Sequence, residues 1–305
     1  MRLPMRLDED QLWCAWEAIR RGGKSAGPDG LTVVHFRGRQ VAEIEALLRD
    51  LRTGRYAPGT YRAVQVPKES GGSRVLAIAT VRDRVVQRLL HDRLLPVVER
   101  TALDCSFAYR PGRCHLDALE RVAAWREAGF RHVVHADVRS CFDEINLLLV
   151  AMLMERAGVD DEVREIALEC LSAGFSGRPR PDDLRGLPQG AVLSPILCNL
   201  VLTEFDRAMA GRHRRLVRFA DDFVILCQSP ATCERMLDRA RTALADLGLA
   251  VNERKTEITS FGQGFHYLGA RLVGGFIIPE KKAPYIRNQD LLGPCKRHSG
   301  LGWVF

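Results

Sequence analysis

Two adjacent carboxylates, Asp221 and Asp222, lie in a short segment whose residue types and spacing could do chemistry. Residues 218–226 have the sequence Arg-Phe-Ala-Asp-Asp-Phe-Val-Ile-Leu, which predicts a β-hairpin with both acids at its tight turn. Acids in that position could hold divalent ions beside a hydroxyl group and a triphosphate, as metal-assisted nucleotidyl transfer requires. The alternative is an ordinary surface turn, because aspartate is favoured in turns for local reasons.

A third acid, Asp137, ends a second predicted strand farther upstream. A β-branched run leads into this aspartate, and a loop follows it before a helical pattern that begins near Asn146. We interpret Asp137 and Asp221 as ligands of divalent ions, with Asp222 as a third. Because three crowded acids repel one another, such a site is stable only with cations bound or with raised pKa values. Asp143 is interpreted as the cap of the following helix rather than as a ligand.

A loop with the sequence Leu-Pro-Gln-Gly, residues 187–190, lies between these two segments along the chain. Gly190 lets the backbone pass close to a ligand, and Ser194 followed by Pro195 predicts an N-cap and a helix start. Gln189 would then lie in the loop beside the acid cluster. Its amide could contact an incoming nucleotide or tie down the loop backbone, and the residues alone favour neither interpretation.

In chain order, the Asp137 segment, the Leu-Pro-Gln-Gly loop and the 218–226 hairpin resemble the central motifs of a reverse transcriptase. Further segments are similar to motifs of the group II intron-like lineage of that family: residues 27–30, 66–87, 107–113, 252–256 and 265–269. Each motif is weak alone, but the ordered set covers roughly residues 24–275 and is specific. The resemblance implies an RNA-directed DNA polymerase that acts on an RNA template, a DNA or RNA primer and deoxynucleoside triphosphates.

The resemblance also implies roles for individual residues. The catalytic acids would be Asp137, Asp221 and Asp222, which would bind two Mg²⁺ ions, with Mn²⁺ as a substitute and with help from the backbone of Val138. Nucleotide contacts would come from Lys68, Arg74, Phe142, Gln189 and Lys255, and template contacts from Arg110 and Arg113. For Lys255 the alternative is a solvated lysine after a turn.

Phe142 lies five residues beyond Asp137, where this family places a bulky ring beneath the nucleotide sugar. A phenyl ring there would clash with a ribose 2′ hydroxyl and would accept a deoxyribose, which favours DNA synthesis over RNA synthesis. The alternative is that Phe142 packs into the core behind the loop.

Positive charge is concentrated in one part of the 305-residue chain. The sequence has 45 Lys and Arg against 38 Asp and Glu, a net charge of +7, and the whole surplus lies between Arg52 and Arg131. A basic segment suits a polyanionic partner such as a template or primer. For individual residues such as Arg93, the alternative is a merely solvated side chain.

Cysteine usage and hydropathy argue against other protein classes. The nine cysteines never form a Cys-x-x-Cys pair, so we predict buried reduced thiols rather than a zinc site or a disulfide framework. No apolar run of about eighteen residues occurs, and the N-terminus lacks the apolar stretch of a secretion signal. We therefore expect a cytoplasmic protein with no membrane partner.

The predicted fold is α+β, a right-hand polymerase palm and fingers with an antiparallel palm sheet and a thumb that is minimal or absent. We assign residues 1–60 to an N-terminal helical extension, 61–130 with part of 145–190 to the fingers, 131–279 to the palm and 280–305 to a short basic C-terminal tail. Helices are predicted near 9–21, 38–52, 81–99, 114–128, 145–156, 160–173, 193–210 and 231–247. Strands are predicted near 61–67, 74–79, 131–137, 214–219, 222–227, 256–261, 265–273 and 276–279.

The biological setting is a hypothesis that rests on the resemblance. A short stand-alone enzyme of this kind resembles the group II-like reverse transcriptases associated with CRISPR adaptation, where it would supply cDNA to an integrase partner. Two other classes stay open: an enzyme that makes DNA without a template in antiphage defence, and a catalytically silent nucleic-acid-binding subunit. Three crowded acids argue against the silent subunit, because a scaffold has no physical need for them.

Overall fold

The computed structural model describes residues 5–22, 25–67, 72–176, 184–211 and 215–279. In chain order the helices are α1 (Glu9–Arg20), α2 (Val33–Gly38), α3 (Gln40–Arg52), α4 (Val81–Thr101), α5 (His115–Glu127), α6 (Cys141–Glu144), α7 (Leu147–Arg156), α8 (Asp161–Ser172), α9 (Ser194–Met209) and α10 (Pro230–Ala245). The strands are β1 (Arg62–Pro67), β2 (Ser73–Ile78), β3 (His132–Asp137), β4 (Arg215–Phe219), β5 (Asp222–Cys227), β6 (Glu257–Ser260), β7 (Phe265–Tyr267), β8 (Ala270–Val273) and β9 (Phe276–Pro279).

The described residues form two compact units. The first comprises the residues up to Ala102 together with Ser140–Glu204 and Asp246–Leu249. The second comprises Leu103–Arg139, Phe205–Ala245 and the residues from Ala250 onward. These ranges differ from those of the predicted domains, whose assignment stays a prediction.

The first unit contains a two-stranded hairpin and the long helix α4. Strands β1 and β2 pair antiparallel, from Arg62 opposite Ile78 to Pro67 opposite Ser73. Helix α4 starts where the Thr80 side chain accepts a hydrogen bond from the backbone N–H of Asp83, an ordinary N-cap. Its apolar residues recur at helical spacing and are buried, as the sequence predicts.

The second unit is built on a four-stranded antiparallel sheet with the order β4-β5-β3-β6. One cluster of apolar side chains joins this sheet to α5 and to the small sheet β7-β8-β9; its members include Val133, Val217, Val224, Leu226, Leu119, Val122, Phe265 and Leu272. Because side chains alternate along a strand, Phe223 points away from this cluster, and its ring lies 5.0 Å from that of Phe205 in α9. The α+β class with an antiparallel sheet is therefore confirmed.

The structure differs from the predicted elements in two places. The predicted helix near 38–52 is preceded by a separate helix α2, where the Thr32 hydroxyl accepts from the backbone N–H of His35 in a capping box. The prediction of one strand over residues 265–273 is wrong, because Leu268 and Gly269 form a tight turn between β7 and β8. Both residues have positive φ, 51° and 73°, and such backbone angles end a strand.

None of the helices in the described part of the chain combines the length and apolar character that crossing a bilayer requires.

Candidate active site

The sheet brings two of the predicted acids directly opposite each other. Asp137 ends β3, Asp222 begins β5, and the two residues are register partners in the antiparallel ladder. Side chains of such partners project from the same face with Cβ atoms about 5 Å apart. Asp221 occupies the adjacent turn, where its carbonyl accepts a hydrogen bond from the backbone N–H of Val138 at 3.0 Å. All three acids therefore lie at one end of the same sheet.

The turn that carries these acids is held by a buried arginine. Ala220 has a left-handed backbone with φ of 59°, which is uncommon for a residue other than glycine. The Arg218 guanidinium donates to the Ala220 carbonyl at 2.9 Å. It also donates to both carboxylate oxygens of Asp206, at 2.8 and 2.6 Å, and the two charged side chains are completely buried. We did not predict this pair, although an arginine inside an apolar strand sequence is a signal that could have indicated it.

The surroundings of Asp221 disfavour its ionised form. Burial raises the pKa of Asp221 to about 6, with further contributions from the charges of Asp137 and Asp222. A carboxyl group raised in this way is favoured in its neutral form. A bound cation would reverse that preference, because it stabilises the ionised carboxylate.

Asp137 has two side-chain partners from one segment after α10. The Asn252 amide donates to one carboxylate oxygen at 3.0 Å, and the Lys255 ammonium donates to the other at 3.0 Å. Burial alone would lower the pKa of Lys255, but its hydrogen bond and charge interaction with Asp137 outweigh that effect and raise it. The sequence predicts Lys255 as a nucleotide contact, and in this structure its ammonium is paired with Asp137, one of the predicted catalytic acids.

Asp222 is paired with His135, which lies two residues before Asp137 on the same face of β3. The His135 Nε2 atom is 3.0 Å from a carboxylate oxygen of Asp222, and its Nδ1 atom is 3.4 Å from Glu257. Burial would lower the pKa of His135, but these carboxylates raise it above its ordinary value. We did not single out this histidine, although the two-residue alternation of a strand places it beside the acids.

The donor set fits a hard divalent ion in its chemistry. Such ions prefer carboxylate oxygens, which Asp137, Asp221 and Asp222 supply. Among the residues that the structure describes, no three His, Cys, Asp or Glu side chains are already arranged as a metal cage. Two of the carboxylates are instead bonded to Lys255 and His135, so an ion bound there would compete with these internal partners.

In the first unit, the Leu-Pro-Gln-Gly loop contacts the short helix α6. The backbone N–H of Leu187 donates to the Phe142 carbonyl at 2.6 Å, and the Gln189 amide donates to the Asp143 carboxylate at 3.0 Å. The interpretation of Asp143 as a helix cap is wrong. Asn146 caps α7 instead, since its side chain accepts from the backbone N–H of Leu148 at 2.8 Å.

The same loop is attached to the hairpin strand β2. The carbonyl of Gln189 accepts from the backbone N–H of Ala77 at 2.7 Å. Gly190 has φ of +100°, and a Cβ atom there would lie 3.2 Å from the Ala77 carbonyl, so glycine suits this close approach. Both interpretations of Gln189 therefore stay open, because its backbone ties the loop while its amide reaches Asp143.

The remaining predicted nucleotide contacts have different structural positions. Arg74 is an exposed residue of β2, and Phe142 is half-buried in α6, while Lys68 lies outside the described residues. A half-buried ring is compatible with a surface that receives a sugar, but the nucleotide roles of these residues stay predictions.

The two predicted template contacts organise the loop before α5. Arg110 is buried, and its guanidinium donates to the carbonyls of Leu103 and Ser106 at 2.6 and 2.9 Å. Arg113 is ion-paired with Asp104 at 2.7 Å and lies over the Phe107 ring. These bonds give both arginines a structural role, and their contact with a template stays a prediction.

Comparison with known proteins relates the sequence of this chain to one family. Residues 66–272 match the model of the family described as reverse transcriptase (RNA-dependent DNA polymerase). Protein YkfC of Escherichia coli is 29% identical over 88% of this chain and 82% of its own length. The group II intron-encoded protein LtrA of Lactococcus lactis is 29% identical over 60% of this chain, and the Retron Mx65 reverse transcriptase of Myxococcus xanthus is 26% identical over 74%.

Solved structures support the predicted right-hand polymerase fold. Telomerase from Candida albicans, in complex with a fragment of telomeric RNA, aligns with a TM-score of 0.56 over 82% of this chain and 50% of that chain, at 12% identity. The chain spans 31% of LtrA and 54% of the Mx65 protein, so several relatives are much longer. The family match covers more than half of the chain and includes all three acids. The chain therefore belongs to the reverse transcriptases, the family of RNA-dependent DNA polymerases.

Proposed function

We propose that this chain adds deoxynucleotides to the 3′ end of a primer on an RNA template, using two Mg²⁺ ions held by Asp137, Asp221 and Asp222. The observation that carries the proposal is the register of Asp137 opposite Asp222, with Asp221 in the adjacent turn. The raised pKa of Asp221, about 6, supports it, because burial and, secondarily, the charges of Asp137 and Asp222 perturb a carboxyl group in the way typical of functional sites. Membership of the reverse transcriptase family makes RNA-directed DNA synthesis the activity to test first.

Ions bound there would lower the pKa of the primer 3′ hydroxyl and stabilise the charge that develops on the leaving pyrophosphate. Asp221 would have to be ionised, and Asp137 would have to exchange its bond with Lys255. Once released, the Lys255 ammonium would be available to a triphosphate oxygen. This exchange reconciles the predicted nucleotide role of Lys255 with its observed ion pair.

The carboxylates can be tested by primer extension on an RNA template of mixed sequence in the presence of Mg²⁺. We expect the wild type to extend the primer. Asp137→Asn should lower kcat about a thousandfold, because it removes the negative charge of a carboxylate that would bind metal and that pairs with Lys255. Asp246→Asn is the matched control, since this acid is exposed and lies in the other compact unit. Sequencing the products separates copying from template-independent addition. A wild type that makes no product would favour the silent nucleic-acid-binding subunit.

The sugar selectivity assigned to Phe142 gives a second test. Phe142→Ala should admit ribonucleotides, because a methyl group leaves room for the 2′ hydroxyl that a phenyl ring would exclude. We expect incorporation of ribonucleotides to rise about tenfold or more relative to deoxynucleotides, as one lost steric contact commonly changes selectivity by this order. The measurement is the ratio of kcat/KM for the two sugars. Phe130→Leu, which changes another half-buried phenylalanine, serves as the control, and an unchanged ratio in Phe142→Ala would remove Phe142 from this role.

We further propose that the chain works with a CRISPR integrase and supplies cDNA for spacer acquisition. The support is its resemblance to the group II-like lineage, together with the similarity to LtrA. Co-purification from the native host should recover an integrase, and spacers of RNA origin should disappear in an Asp137→Asn strain. Recovery of no integrase, from a locus without a CRISPR array, would refute this setting while leaving the polymerase proposal intact.

A further inference from the structure

A buried glutamine of α4, Gln87, connects the core of the first unit to the Leu-Pro-Gln-Gly loop. Its side chain is 1% exposed. The Oε1 atom accepts a hydrogen bond from the backbone N–H of Val192 at 3.0 Å, and the Nε2 atom donates to the Tyr61 hydroxyl at 3.0 Å. The Tyr61 hydroxyl in turn donates to the carbonyl of Cys170 in α8 at 2.7 Å.

This arrangement is more specific than core packing alone would require. Gln87 lies among the buried residues of α4, where an apolar side chain of similar length would fill the same volume. Burying an amide without partners is unfavourable, but here both ends of the amide have partners. The glutamine thus links Val192 to an internal chain of hydrogen bonds that ends at α8.

The position of Val192 shows that this hydrogen bond holds the loop that carries Gln189. Val192 lies three residues after Gln189, just before α9 begins at Ser194. At Gln189 itself, the backbone carbonyl accepts a hydrogen bond from the N–H of Ala77 in β2. The loop is therefore fixed at two points, to a strand at Gln189 itself and to Gln87 three residues later.

We infer that Gln87 is a positioning residue, which fixes residues 187–193 so that the Gln189 side chain presents a constant geometry to the incoming nucleotide. This inference rests on the proposed function, because it assigns the loop a part in binding nucleotide. A preorganised loop binds its ligand without first losing conformational freedom. Loosening it should therefore weaken nucleotide binding more than it slows the chemical step.

The central variant is Gln87→Met, which keeps the length of the side chain and removes both hydrogen bonds. The backbone N–H of Val192 loses its acceptor, and we expect the KM for deoxynucleotides to rise about tenfold while kcat changes less. Gln87→Glu is the conservative variant, since a carboxyl group retains an oxygen that can accept from Val192. It should restore most of the affinity that Gln87→Met loses.

A readout that needs no activity is amide hydrogen exchange of the peptide covering residues 187–193. Exchange in this segment should be faster in Gln87→Met than in the wild type, because the N–H of Val192 is no longer bonded. Tyr61→Phe is the structural control: it removes the hydroxyl bonded to Gln87 and leaves the acceptor of Val192 in place. We expect its loop exchange and KM to stay close to those of the wild type.

The inference is overturned if loop exchange and KM are unchanged in a folded Gln87→Met protein. It is also overturned if Tyr61→Phe raises both as much, since the effect would then come from general loosening of the core. If Gln87→Met does not fold, Gln87→Leu, which also removes the acceptor of the Val192 N–H with a smaller apolar side chain, takes its place in the same comparison with Tyr61→Phe. Absence of templated product from the wild type would count against the proposed function, and hydrogen exchange would still show whether Gln87 holds the loop.

Discussion

Asp221→Asn should abolish primer extension, by about a thousandfold or more in kcat, and at the same time make the metal-free protein more stable at neutral pH. The loss of activity is expected because an amide cannot replace the charge of a metal-binding carboxylate. The gain in stability is expected because the partial burial of Asp221 and the neighbouring charges of Asp137 and Asp222 raise its pKa to about 6.

The direction of the pH dependence follows from that raised pKa. The ordinary pKa of an aspartate is 3.8, so the folded state binds a proton at Asp221 more strongly than the unfolded state. The stability that this proton contributes is fully present below about pH 4 and is lost as the pH rises through about 6. Above pH 6 the metal-free wild type is therefore destabilised by roughly 1–3 kcal/mol, which Asp221→Asn removes.

Denaturant unfolding in the presence of EDTA, at pH 4 and pH 8, measures this effect. We expect Asp221→Asn to have the higher free energy of unfolding at pH 8 and no advantage at pH 4. Adding Mg²⁺ should stabilise the wild type and leave the variant nearly unchanged, since ligand binding stabilises the folded state by mass action. A variant that is less stable than the wild type at pH 8 would contradict the view that ionised Asp221 destabilises the metal-free protein.

Arg218→Met should destabilise the protein by about 3–5 kcal/mol, the largest stability effect that we predict. Arg218 and Asp206 are fully buried and bonded through both carboxylate oxygens, so removal of the arginine leaves a buried unpaired charge. The same change removes the donor to the Ala220 carbonyl, and with it the bond that supports the left-handed turn. Denaturant unfolding gives the magnitude, and primer extension of the folded fraction shows whether the turn still presents the acids.

A double-mutant cycle separates the ion pair from the packing of its members. Arg218→Met combined with Asp206→Leu should recover much of the stability, because no buried charge then remains. Arg241→Gln is the control, since Arg241 forms an ion pair with Glu253 on the exposed surface and should contribute little. Equal losses for Arg218→Met and Arg241→Gln would show that the buried pair is not a determinant of this fold.

The sequence predicts the helices and strands of this protein better than the side-chain contacts between them. The strand that ends at Asp137 and the hairpin at 218–226 follow from local alternation, and their antiparallel pairing is confirmed. The helix α4 follows from the 3.6-residue spacing of its apolar side chains. These features depend on residues close in sequence, so one chain contains the information needed to predict them.

The partners of the acids could not be predicted in the same way. The bond between Lys255 and Asp137, like that between Arg218 and Asp206, depends on how separate elements dock. Periodicity and propensity do not record such docking. The assignment of Asp143 as a cap is wrong for a local reason. Asn146, three positions farther on, is also a suitable capping residue, and the structure uses it.

The bond between Lys255 and Asp137 also has a consequence for how this protein responds to its ionic surroundings. A tethered ammonium acts as an internal counterion, so Asp137 is not left bare while free magnesium is scarce. Monovalent ions would gain little by displacing it, because they bring no more charge than the lysine already provides. A divalent ion brings twice that charge, so we expect Asp137 to exchange its lysine for magnesium more readily than for potassium or sodium.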